Sequence, residues 1–175
     1  MSYLNRDNAD CLVNKYADMI LRISYMYLKH TQNAEDICQD VFMKLATHDF
    51  HFDDTAHEKA WIIRTTINAC KDHLRTDFWR RVTVLDEACD VPAPAEPESD
   101  LLPYIMELPK NYRISIYLYY YENYRVKEIA SMLGKNENTV SAYLTRGRKR
   151  LKSVLESRSD QQAMNAETGG THYAN

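Results

Sequence analysis

Residues 126–151 read VKEIASMLGKNENTVSAYLTRGRKRL, and they decide what kind of fold the chain adopts. Ile129, Ala130 and Leu133 are spaced for one face of a short helix. Gly134 follows at once, where a tight helix-to-helix turn needs a left-handed or unhindered backbone. Asn136 can cap the next helix, and Val140, Leu144, Gly147 and Leu151 recur at three- and four-residue steps along its buried side. Two short helices crossing around a small contact are the helix-turn-helix arrangement. The opposite side of the second helix carries Asn138, Ser141, Ala142, Thr145, Arg146 and Lys149. Small polar groups near its start can approach base edges, and the lysine and arginine run at 146–152 supplies charge for phosphates. A solvated basic helix closing a bundle would share the charge, but not the turn glycine and the apolar spacing together.

The charge outside this stretch is distributed unevenly. The 175 residues carry a net charge of −3. Residues 1–82 are close to neutral, with 11 basic and 12 acidic side chains, whereas 83–108 hold 7 acids and no base. Residues 125–152 hold 8 bases and 2 acids. Local concentration of positive charge is how polyanion binders are built, because each neutralised phosphate releases counterions. A near-zero total therefore does not argue against nucleic acid.

Upstream, apolar spacing predicts helices over about 10–30, 34–47 and 56–75. Asn33 is the expected cap of the second, with Glu35 and Asp36 in its first turn. VPAPAEPESD at 91–100 holds three prolines and three acids, which excludes an internal helix or inner strand there. The expected organisation is all-α: a helical domain at 1–82, a flexible acidic proline-rich linker at 83–100, a second helical domain with the helix-turn-helix at 101–155, and a disordered tail at 156–175. Four glycines and five prolines are too few for a sandwich or barrel. Neither an apolar run of about 18 residues nor a leader-like segment is present, so a cytoplasmic chain without membrane insertion is expected. Cys11, Cys38, Cys70 and Cys89 form no CxxC pair; the first three lie among helix-spaced apolar residues and read as buried thiols.

Taken in order, these parts resemble a bacterial RNA polymerase sigma factor of the sigma-70 family, extracytoplasmic-function (ECF) group. The resemblance runs through AEDICQDVFMKLAT at 34–47, AWIIRTTINACKDHLR at 60–75, and LPKNYRISIYLYYYENYRVKEIASMLG at 108–134 with the helix that follows. It implies that Asp36, Gln39 and Asp40 dock on the clamp helices of the polymerase β′ subunit; their spacing puts them on one helix face. It implies that Phe52 and Asn68 hold an unstacked base of the minus-ten element, with Arg64, Lys71 and Arg75 on phosphates. The minus-thirty-five element falls to Lys135, Asn138, Thr139, Ser141, Ala142, Thr145, Arg146 and Lys149. Implied partners are core polymerase (β′ clamp helices and β flap), promoter DNA and an anti-sigma factor, with no cofactor and no catalytic residue. The tyrosines at 117, 119, 120, 121 and 124 read mostly as core and helix surface, with hydroxyls free to reach phosphate. The acidic linker reads equally as a soluble spacer or as a mimic of nascent RNA in the exit path.

Two rivals stand beside this reading. The loop from His48 to Glu58 is rich in His, Asp and Glu, but it lacks HExxH spacing and paired histidines one turn apart, so it does not read as a metal hydrolase. A helix-turn-helix regulator that binds an operator without polymerase would share the carboxy-terminal motif. The amino-terminal part, however, lacks the alternating strands of a phosphoacceptor domain.

Overall fold

The structure, a computed structural model, describes residues 6–47, 52–83 and 101–168, with side chains placed at 11–47, 52–76 and 101–157. Among the described residues there are helices and no strands. They are α1 (Arg6–Leu28), α2 (Thr31–Thr47), α3 (Thr55–Thr83), α4 (Leu102–Glu107), α5 (Lys110–Tyr120), α6 (Val126–Leu133) and α7 (Glu137–Thr168). The all-α expectation holds. Past Thr83 the predicted linker lies outside the described residues, as does Cys89.

Helices α1, α2 and α3 pack together, and α5, α6 and α7 pack together with α4 against them. The first group buries Ile20, Ile23, Val41, Leu45, Ile62, Ile63 and Ile67 almost completely, and the second buries Ile114, Leu118, Ile129, Val140 and Leu144. Burying each such side chain is worth about 1.5–3 kcal/mol. The two groups are not held apart: α1 touches α5 and α3 touches α6, so the buried residues form one continuous apolar cluster.

Several helix ends differ from the sequence expectation. The chain breaks between α1 and α2 at Lys29, which takes a left-handed φ of 53°. Helix α2 therefore begins at Thr31, and its amino-terminal cap is the His30 ring: the Asn33 backbone N–H donates to His30 Nδ1 at 3.3 Å. Asn33 is inside the helix and does not cap it, and Glu35 and Asp36 fall beyond the first turn. Helix α3 continues through the basic cluster at Arg75, Arg80 and Arg81 to Thr83. Helix α7 runs on to Thr168, so much of the segment expected as a disordered tail is helical. No proline or glycine interrupts residues 148–168, and nothing else in that stretch stops a helix. Cys38 and Cys70 are buried free thiols, but Cys11 is exposed, because it sits one position off the buried stripe of Leu12 and Tyr16.

Candidate nucleic-acid interface

The helix-turn-helix is built as its sequence suggests. Glu128 accepts the Arg125 backbone N–H at 2.7 Å and opens α6. Gly134 closes α6 with φ 65° and ψ 43°, and its N–H reaches back to the last turn. Asn136 Oδ1 accepts the Thr139 N–H at 2.7 Å, which caps α7. Val140 and Leu144 are buried, and Gly147 lets α7 approach α5 closely: a Cβ there would lie 2.8 Å from Ile116 Cδ1 and 3.2 Å from Tyr112 Cβ. The other side of α7 then faces solvent. Asn138, Ser141, Thr145, Arg146 and Lys149 are exposed, as is Lys135 in the turn, whereas Thr139 and Ala142 are half-buried.

Arg148 leaves this basic face. Its Nε donates to the Tyr120 hydroxyl at 2.8 Å, and its guanidinium lies 5.5 and 5.6 Å from the Tyr119 and Tyr120 ring centres. Two of the tyrosine hydroxyls are engaged within the protein: Tyr117 donates to Glu122 at 2.8 Å, and Tyr120 accepts from Arg148. Beside them, Leu101, Ile105, Ile116, Tyr120, Leu151 and Leu155 line an apolar groove of about 610 Å³ between α4, α5 and α7.

Helix α3 has two faces. Ile62, Ile63, Thr66, Ile67 and Cys70 are buried, while Arg64, Asn68, Lys71 and Arg75 form an exposed stripe. Its start is pinned to α1 by Glu58, which is only 6% exposed and accepts from Lys15 at 3.0 Å and from the Tyr16 hydroxyl. The Tyr16 hydrogen bond and Glu58 raise the pKa of Lys15. Phe52 is half-buried, 5.7 Å from the Trp61 ring and edge-on to His57 at the same distance. Trp61 and Asn68, seven residues apart on α3, share one helix face about 10 Å apart along its axis. Arg75 pairs with Asp72 at 3.2 Å. Lys71 is engaged differently: its Nζ donates to the Leu133 carbonyl at 3.0 Å, at the end of α6. Burial, and the nearby Lys135 and Lys110 cations, pull its pKa below the ordinary lysine value.

On α2, Asp36, Gln39 and Asp40 are all exposed on one face beside the 61%-exposed Met43, with Ala34, Ile37, Cys38, Val41 and Leu45 turned inward. Acidic and basic faces therefore sit on different helices. The described residues contain no group of His, Cys, Asp and Glu suited to a metal ion; His48 to His51 lie outside them.

This two-part arrangement has close parallels. Residues 12–80 match the Sigma-70 region 2 family and residues 100–151 match Sigma-70, region 4. The chain is 30% identical over 154 residues to the ECF RNA polymerase sigma factor SigM of Bacillus subtilis (strain 168), across 83% of this chain and 93% of that protein. The chain belongs to the ECF sigma factors. It is also 25% identical over 162 residues to the ECF RNA polymerase sigma factor SigW of the same organism, across 82% of this chain and 87% of that one. In fold it resembles the sigma factor RpoE crystallised with the anti-sigma factor NepR from Bartonella quintana, with a TM-score of 0.67, 19% identity, and coverage of 84% of this chain and 96% of that one. A second likeness is to CnrH in complex with the cytosolic domain of CnrY, with a TM-score of 0.54, 18% identity, and coverage of 87% and 90%. As an RNA polymerase sigma factor, the chain is a transcription-initiation protein and not a free-standing operator-binding regulator. No described helix is long and apolar enough to cross a membrane.

Sequence reasoning missed the groups that join the two halves. Arg113 is 4% exposed; its Nε donates to the Met26 carbonyl at 2.6 Å and its Nη1 to the Met106 and Leu108 carbonyls at 3.2 and 3.0 Å. Lys59 pairs with Glu122 at 2.8 Å. The one local signal was a charged Arg113 beside the strongly apolar positions Ile114, Ile116 and Leu118.

Proposed function

We propose that this sigma factor directs promoter-specific initiation by dividing the promoter between its two ends. Residues 1–82 act as the clamp-docking and minus-ten domain, and residues 101–155 act as the minus-thirty-five domain. Asp36, Gln39 and Asp40 dock α2 on the β′ clamp helices of core polymerase. Their common exposure on one face suits a helix-to-helix dock. Phe52 and Asn68 take an unstacked minus-ten base, the ring supplying a stacking surface and the amide hydrogen bonds to the base edge. Arg64, Lys71 and Arg75 neutralise the neighbouring phosphates. In the major groove of the minus-thirty-five element, Asn138, Ser141, Ala142, Thr145 and Arg146 meet base edges, with Lys135, Thr139 and Lys149 toward the backbone. The apolar groove beside Tyr120 and Leu151 suits an apolar segment of the β flap. An anti-sigma factor is the expected inhibitor, in line with the complex of the structural relative RpoE with the anti-sigma factor NepR.

The exposed polar stripe of α7 over a buried Val140–Leu144 seam carries this reading, because nothing in the fold needs those polar groups there. In vitro transcription with core polymerase and mapping of start sites tests it. Selective starts that vanish on Asp36→Lys with Asp40→Lys, while duplex binding by α7 survives, are the expected result. Unselective initiation by the wild type would overturn it.

A further inference from the structure

The groove between α4, α5 and α7 has an apolar floor and a cationic rim. Ile105 and Ile116 are buried at its floor, and the half-buried Leu151 and Leu155 line it from α7. Leu101 and Tyr120 at its edges are 41% and 52% exposed, so apolar surface there stays in contact with water. Its volume of about 610 Å³ is that of a small-molecule site, which typically spans about 300–1,000 Å³. Arg148 supplies the rim with a cation of fixed orientation. Its Nε is used up on the Tyr120 hydroxyl at 2.8 Å, and its plane is held beside the Tyr119 and Tyr120 rings. No carboxylate among the described residues pairs with it. The edge left over is the pair of terminal nitrogens, Nη1 and Nη2, a two-pronged donor that matches one carboxylate. Lys152 also lines the groove, but it is paired with Glu156 at 3.6 Å. Glu156 repels any head group that carries a second negative charge.

We propose that this groove is a binding site for a long-chain monocarboxylic acid. The carboxylate sits on the terminal nitrogens of Arg148, and the alkyl chain lies along Leu151, Leu155 and Ile105. A single chain suits one continuous apolar floor, and a monoanion suits one free guanidinium edge beside an acidic neighbour. The site also gives a use to an arginine that has left the basic face of α7 for the tyrosines of α5. A bound acid excludes an apolar protein segment from the same groove. That consequence rests on the β-flap reading above, whereas the binding itself does not.

Isothermal titration calorimetry of the full-length chain with dodecanoate, kept below its micelle-forming concentration, tests the site. Saturable uptake of a single equivalent is expected. Decanoate, two methylenes shorter, should bind about fifteenfold more weakly, at ~4-fold per buried methylene. Arg148→Gln should weaken dodecanoate about tenfold, the effect of losing a hydrogen bond to a charged group, and leave uncharged decanol unchanged. Leu155→Gln should weaken both ligands. Circular dichroism shows whether the variants fold. If Arg148→Gln does not, the wild type decides the head group: dodecyl phosphate, close to a dianion at pH 8, should bind more weakly than dodecanoate. No saturable uptake, tighter binding of dodecyl phosphate, or folded variants that both keep the wild-type affinity would overturn the site. Polymerase is absent from the titration and the acid is absent from start-site mapping, so this site and the promoter reading can fail independently.

Discussion

Helices α3 and α7 are the two longest among the described residues, and each turns one face to the core and a polar stripe outward, yet they are supported differently. Helix α7 is held by apolar packing against α5, through Val140, Leu144 and the close approach at Gly147, and Asn138, Ser141, Thr145, Arg146 and Lys149 on its outer stripe are exposed. Helix α3 is packed against α1 and α2, pinned at its start by the buried Glu58, and tied by Lys71 to α6. The proposed minus-thirty-five helix is exposed along its polar stripe, and the proposed minus-ten helix has a cation, Lys71, in use inside the protein. Similar sequence patterns therefore gave unequal readiness, and the inequality lies in which neighbours each helix meets.

The largest expected effect asks whether the halves are stable separately. Ile67 on α3 is 0% exposed and Leu144 on α7 is 2% exposed. Truncating either to Ala should cost about 2–5 kcal/mol. If the shared core couples the halves, either variant moves a single urea transition; two transitions, of which one moves, would show that the halves unfold independently. Next come the reading faces themselves. Asn68→Ala should weaken strand opening by about 1–3 kcal/mol, the scale of one base-edge contact, with co-migration on polymerase unchanged. Permanganate reactivity of the unpaired minus-ten thymines measures it, and equal loss of polymerase binding would show misfolding instead. Arg146→Ala should weaken binding to a minus-thirty-five duplex without polymerase, lowering the salt-dependence slope by about 0.9 if it meets a phosphate. Unchanged affinity at physiological salt would remove Arg146 from the interface.

Smaller effects separate the halves by backbone and by titration. Gly134→Ala should destabilise the second half by about 1 kcal/mol through its left-handed φ of 65° alone, because a Cβ there meets no atom within 4 Å. Thermal melts of Gly134→Ala and Gly134→Asn test this, with Asn recovering part of the loss. In alkali the first half should weaken earlier. Burial pushes the Cys38 thiol up to about 11 and the Cys70 thiol up to about 12 from an ordinary 9.0. Their neutral forms therefore stabilise the fold fully below pH 9, and that stability declines as the pH rises toward 11–12. In the second half Tyr124 is pushed to about 12 from 10.0, chiefly by burial, so its loss starts a unit later. Each thiol should remove about 1 kcal/mol by pH 10 and nothing at pH 8, read from melting temperatures across that range.

Much of the candidate site was legible because it is local. The turn at Gly134, the Asn136 cap and the exposed α7 stripe follow from spacing within one segment, and so does the acidic face of α2. Misreadings occurred where a residue's partner is far along the chain or where a helix end depends on an unexpected cap. Asn33 was the better residue type for a cap, but the His30 ring held the position. Arg148 matched the basic run in pattern, but α5 supplied tyrosines to hold it.

Periodicity and composition alone determined the all-α class, the helix-turn-helix and the segregation of acidic and basic faces, because each depends on residues within a few helical turns of one another. The pairing of Arg113 with the end of α1, of Lys71 with the end of α6 and of Lys59 with Glu122 was decided only in three dimensions. Those bonds join groups about 60 to 90 positions apart, and a helix end does not reveal from its own sequence which distant cation will occupy it.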